Sequence, residues 1–150
     1  VLKPLPHFKY YNIPVYFGVE ITSNLGDILA YGIKKVPSKE SRAGEVIDFI
    51  HKQGGIAICA HAFSNRHYAF GDRVYDYPFD AIEINGAIGK KYNEMARKAA
   101  LIMDLPTVGG SDAHSVDQLN TKATKFDIPI TCISDIIKAV KNKKSKAINL

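Results

Sequence analysis

Gly110-Ser111-Asp112-Ala113-His114 follows directly on an apolar run, Leu105-Pro106-Thr107-Val108-Gly109, and the reading of that junction decides the fold. The run reads as a buried strand. The glycine pair lets the backbone turn sharply, so a carboxylate and an imidazole project from the end of a sheet. Three other runs end the same way. Gly55-Ile56-Ala57-Ile58-Cys59-Ala60 ends at His61, Val15-Tyr16-Phe17-Gly18-Val19 at Glu20, and Asp80-Ala81-Ile82-Glu83-Ile84-Asn85 in polar groups. Helical patterns between several of these runs predict parallel neighbours whose C-terminal ends share one rim. Ligands bind at that rim in such folds. Glu20, His61, Asp112 and His114 are then four potential metal ligands along one edge.

The same residues carry a family resemblance. Gly18-Val19-Glu20-Ile21-Thr22 with Gly26-Asp27-Ile28-Leu29-Ala30-Tyr31-Gly32-Ile33 resembles the second motif of the polymerase-and-histidinol-phosphatase (PHP) superfamily. Gly54-Gly55-Ile56-Ala57-Ile58-Cys59-Ala60-His61-Ala62-Phe63 resembles the third, and Val108-Gly109-Gly110-Ser111-Asp112-Ala113-His114 the fourth. The resemblance implies a distorted (β/α)7 TIM-like barrel holding two or three divalent metals, with hydrolysis of phosphate esters as the usual activity. It assigns ligand roles to Glu20, His61, Asp112 and His114, with Glu20 able to bridge two metals.

The departures are specific. The family's His-x-His first motif is absent, and His7 stands alone at that end. Asp27 stands where many members have histidine, and Phe63 where proline is common. With 150 residues against the roughly 200 to 250 of a closed barrel, the chain reads as a single domain lacking one or two N-terminal β/α units. A truncated, a disordered and a naturally abbreviated form all fit that reading.

Hydrophobic residues make up 46% of the chain, enough for a core. Twenty basic against 15 acidic side chains give a net charge of +5, a field that favours anionic partners. Much of the excess is Lys138, Lys141, Lys143, Lys144 and Lys146, which read as a solvated C-terminal helix face. Cys59 and Cys132 lie in apolar stretches without metal or redox spacing and read as buried, reduced thiols of a cytoplasmic protein. No apolar run has the length of a membrane span.

Ser23-Asn24-Leu25-Gly26 has turn chemistry and predicts a hairpin that brings Asp27 near Glu20. There Asp27 orients a ligand, binds metal or serves only the turn. Lys34 to Glu40 reads as a loop, and Ser41 as the N-cap of a helix burying Ala43, Val46, Ile47 and Ile50, stopped by Gly54 and Gly55. The loop Ala62 to Arg73 leaves directly from His61, so Arg66 and His67 are candidate substrate contacts, Arg66 through its planar donors. Asn85 is a third candidate contact, and Glu83 or Asn85 orients a ligand from behind. Lys90 to Met103 reads as a helix, Thr124 to Ile128 as a strand, Ser134 as the cap of a short helix, and Ala147-Ile148 as a closing strand.

The leading reading is a metal-dependent phosphoesterase acting on a small phosphorylated substrate, such as a nucleotide, a sugar phosphate or an oligonucleotide end. Imidazole and carboxylate ligands suit zinc, manganese or iron, with magnesium possible. Such cations lower the pKa of a bound water and neutralise the phosphate oxygens. The alternative is a catalytically reduced domain working as an RNA-binding or scaffold subunit. An amidohydrolase-like barrel uses similar ligands and is a third reading.

Overall fold

In a computed structural model that describes residues 8–38, 41–65, 68–119 and 121–150, two short strands, β1 (Phe8–Tyr10) and β2 (Ile13–Val15), open the chain as an antiparallel pair. The turn that follows shapes the main sheet. The Ser23 hydroxyl donates to the Gly26 carbonyl at 2.7 Å and accepts from the Leu25 and Gly26 amides, each at 3.3 Å. That self-contained turn folds β3 (Gly18–Thr22) back on β4 (Asp27–Tyr31), with Thr22 opposite Asp27 and Glu20 opposite Leu29. The hairpin is the one predicted from turn chemistry.

The next elements hang on that turn. Asn24 accepts the Ala43 amide at 2.9 Å and so caps helix α1 (Ala43–Lys52) from outside. The N-cap is Arg42, one residue beyond the predicted Ser41, whose hydroxyl instead donates to the Ser38 carbonyl. Ala43, Val46, Ile47 and Ile50 form the buried stripe, as the spacing predicts. Gly54, at a φ of +80°, then turns the chain into β5 (Ile56–Cys59). Strand β6 (Ala81–Asn85), helix α2 (Lys90–Ile102) and β7 (Thr107–Gly110) complete the main sheet.

Its order is β3-β4-β5-β6-β7. β4 runs antiparallel to both β3 and β5, while β5, β6 and β7 are parallel. The C-terminal ends of β3, β5, β6 and β7 therefore lie on one rim, and the start of β4 joins them there. Ile28, Ala30, Ala57, Cys59, Ile82 and Ile84 form one buried cluster with the apolar stripes of α1 and α2. Ile56, Ile58, Ala81 and Val108 form a second cluster with Val140, Ile136 and Ile137 of helix α3 (Ile133–Lys141). Apolar surface on both faces explains why every residue of β5 and β6 is buried.

This architecture overturns the expected (β/α)7 barrel. Among the described residues the sheet is open and mixed, with β3 and β7 at its edges. A four-residue turn cannot make the crossover that parallel neighbours require, so the β/α repeat is broken at β3–β4. Helix α3 occupies the face that a closed barrel would fill with strand side chains.

Beyond β7 lies a separate antiparallel pair, β8 (Lys122–Phe126) and β9 (Ser145–Asn149). It joins β7 through side chains. Thr124 Oγ1 accepts from the Gly109 amide at 2.9 Å and donates to the Gly109 carbonyl at 3.0 Å, and Thr107 Oγ1 accepts from the Ala147 amide at 3.0 Å. A Cβ at Gly109 would collide with the Ala123 carbonyl, so glycine permits the approach. Helix α3 is capped at Cys132, not Ser134. Asp135 accepts from the Thr131 hydroxyl and amide and from Cys132, which holds its carboxyl down to about 2. Cys59 is buried as expected, whereas Cys132 is partly exposed. Among the described residues no helix is long and apolar enough to cross a membrane.

Thr124→Val tests the side-chain join. It leaves the Gly109 amide and carbonyl without their partner and should lower stability by about 1–3 kcal/mol. Urea unfolding reads the loss, and an unchanged midpoint would show that the hydroxyl does not hold the hairpin.

Candidate functional site

Strand pairing brings the first two carboxylates together. Glu20 and Thr22 lie on one face of β3, opposite Leu29 and Asp27 on the same face of β4, so Glu20 and Asp27 are diagonal neighbours. His61, just past β5, reaches the same point. Its Nε2 lies 3.5 Å from Glu20 Oε1 and 3.4 Å from Asp27 Oδ2. One ligand atom from each of the three lies within 4.8 Å of the others, and this is the one such group of three among the described residues.

Backbone geometry holds the histidine in place. His61 has a φ of +30°, left-handed for a residue with a side chain, a conformation that persists only when its surroundings enforce it. The enforcing contact is Glu83, whose Oε2 accepts the His61 amide at 2.9 Å and the Asn85 Nδ2 at 3.1 Å. A Cβ at Gly110 would stand 2.8 Å from Glu83 Oε1, so glycine there leaves space for the carboxylate. Burial pushes the Glu83 carboxyl above its ordinary range, with Asp112 adding to the rise.

The imidazole is only 5% exposed, and its Nδ1 has no partner among the described residues. The buried Asp27 Oδ1 also has none. Two carboxylates and an imidazole, with these buried atoms left unpaired, form a donor set that fits a divalent cation. Glu20, Asp27 and His61 would hold it. Without one, donation from the His61 ring to the Glu20 carboxylate raises the His61 pKa above its ordinary 6.5, with help from Glu83 and Asp27 and against the effect of burial.

The remaining predicted site residues divide. Asp112 stands past β7 with a φ of +52°, close enough to Glu83 to raise its pKa. The His114 side chain is 78% exposed, with Nδ1 3.0 Å from the Asp112 carbonyl and 3.9 Å from Asp112 Oδ1. Neither joins the group of three. Asn85 is buried and committed internally. Its Oδ1 accepts the Ala87 amide at 2.7 Å and its Nδ2 serves Glu83, so it orients instead of facing a substrate. Arg66 and His67 lie outside the described residues, as does His7.

Asp27 is the member the motif reading weighted least. Its signal was present in the turn, because pairing Thr22 with Asp27 across four residues sets the diagonal to Glu20. Asp117, Gln118 and Thr121, which line a pocket beside Asp112 and His114, carried no motif at all.

One of the comparisons with known proteins points to a relation to PHP proteins. A family model described as PHP-associated matches residues 90–145. The uncharacterized protein MJ1587 of Methanocaldococcus jannaschii is 30% identical over 105 residues, covering 63% of this chain and 61% of that protein. The crystal structure of PsfC from Pseudomonas syringae PB-5123 superposes with a TM-score of 0.77 at 17% identity, over 95% of this chain and 62% of that one. The last likeness is one of fold, a small α/β domain built on an open mixed sheet, and it supports the same correction of the expected barrel. The chain thus spans about three fifths of the curated relative and of the similar structure.

In cation-free protein the His61 imidazole should titrate above 6.5, and Glu20→Gln should lower its midpoint, read by NMR of the ring. Because the folded value is raised, the pair adds stability that is complete below about 6.5 and fades as pH climbs through the folded value. An imidazole midpoint indifferent to Glu20→Gln would remove Glu20 from the cluster.

Proposed function

We propose that this PHP-related domain holds a divalent cation on Glu20, Asp27 and His61 and, with it, binds a phosphate ester at the shared rim, as an accessory or substrate-holding part of a PHP assembly. The convergence of those three side chains, with buried atoms left unpaired, is the observation behind the reading. The match to a PHP-associated region and the outward position of His114 support a holding role over self-sufficient turnover. Zinc, manganese or iron suits the donors. Such a cation, when bound, supplies positive charge to phosphate oxygens and a more acidic water. The chain itself fixes His61 through Glu83, keeps Glu83 oriented through Asn85, and sets Glu20 at the solvent edge, where an anion can approach.

A second reading, that the domain hydrolyses the ester itself, is favoured by Asp112, whose carboxylate stands near Glu83 on the same rim. Here a proton from the attacking water would pass to Asp112, a carboxylate placed at the rim to act as general base.

One experiment separates the readings. Metal analysis after dialysis against zinc or manganese should find near-stoichiometric metal, and Asp27→Ala or His61→Ala should weaken binding at least tenfold. Bound metal without turnover of an aryl phosphate gives the holding role. Metal-dependent turnover abolished by Asp112→Ala gives the hydrolase. Protein that takes up no metal defeats both.

A further inference from the structure

The β8–β9 hairpin turns a charged face to solvent. Thr124 points its hydroxyl at β7 and its partner Ala147 is buried, so the next pair, Lys125 and Lys146, points the other way. Both lysines are exposed and stand directly opposite each other. The Asp127 amide donates to the Lys144 carbonyl at 2.9 Å, which continues the pairing and adds exposed Lys144 and Asp127 to the same face. Of the C-terminal lysines only Lys138 and Lys141 belong to α3, in its last turn.

Like charges directly opposite on a strand pair repel. The nearby carboxylates do not cancel them. Asp104 is held by Lys143, and Asp135 by Thr131 and Cys132, which leaves Asp127 as the carboxylate beside these lysines. Lys125, Lys144 and Lys146 join no ion pair among the described residues. A polyanion laid across the face relieves the repulsion.

The rest of the face selects the polyanion. Between Lys122 and Asn149 no large hydrophobic side chain is exposed, and Phe126 packs inward beside Val140 of α3. A membrane surface takes up apolar side chains, and a protein interface has an apolar core. A single strand stacks its bare bases on aromatic rings. A duplex, its bases already stacked, presents phosphates that lysines alone can hold.

We infer that the outer face of the β8–β9 hairpin, through Lys125, Lys144 and Lys146, binds the phosphate backbone of a nucleic-acid duplex without reading its bases. The inference is independent of the cation cluster, which lies at the ends of β3, β4 and β5, whereas this face lies beyond β7.

Fluorescence anisotropy with labelled 20-base-pair DNA and RNA duplexes, without added metal, tests it. Affinity should fall by roughly fortyfold between 50 and 200 mM salt, the loss that three phosphate contacts give, and binding of one duplex alone assigns the source. Lys125→Ala with Lys146→Ala should weaken binding about tenfold and cut the salt response to about fourfold. The urea midpoint of that variant should hold or rise, because a repelling pair is gone, so the loss is not one of folding. Lys52→Ala with Lys98→Ala removes the same charge from exposed positions of α1 and α2 and should leave affinity nearly unchanged. Equal weakening by the two double variants, no binding of either duplex at 50 mM salt, or tighter binding to phosphatidylserine vesicles than to both duplexes overturns the proposal and leaves the cation site untouched.

Discussion

The Glu83 carboxylate, buried at the rim end of β6, is the contact from which the site is built. It accepts the His61 amide from β5, is steadied by Asn85 from its own strand, and lies against Gly110 of β7. Three neighbouring strand ends are thereby fixed to one acidic group. A buried carboxylate is expensive unless its lone pairs are occupied, so the donors around it are obligatory and their positions are narrowly set. The bond from the His61 amide to Glu83 helps hold its left-handed backbone in place.

Much of this organisation was legible in the chain. The apolar stripe of α1, the turn at Ser23 to Gly26, and the rim position of Glu20 and His61 follow from periodicity and turn chemistry, which act within a few residues. The closure of the sheet was not legible. Whether a strand end meets another strand or a helix depends on contacts between distant segments, and α3, read as a short capped helix, gave no local sign that it would cover the inner face. Helix caps moved for a similar reason. Asn24 and Asp135 supply acceptors that hydroxyl residues were expected to provide. In the site, motif spacing singled out Asp112 and His114 equally, yet the backbone turn at Asp112 sends the imidazole to solvent.

Placement of acidic groups on adjacent strands also divides the labour along the rim. Exposed Glu20 meets solvent, Asp27 and His61 are sheltered, and Glu83 is sealed within. Exposure of the rim carboxylates therefore falls from β3 through β4 to β6. An anion arriving from water meets Glu20 first, and the sealed Glu83 carboxylate never touches it.

Glu20 has a further duty that follows from its strand. Among the described residues β3 is an edge of the main sheet, and unpaired amides and carbonyls at such an edge invite a strand from another molecule. An ionised side chain on such a margin discourages that pairing. A substitution made there to probe chemistry therefore also removes a guard against self-association, and solubility and site occupancy are written into one residue.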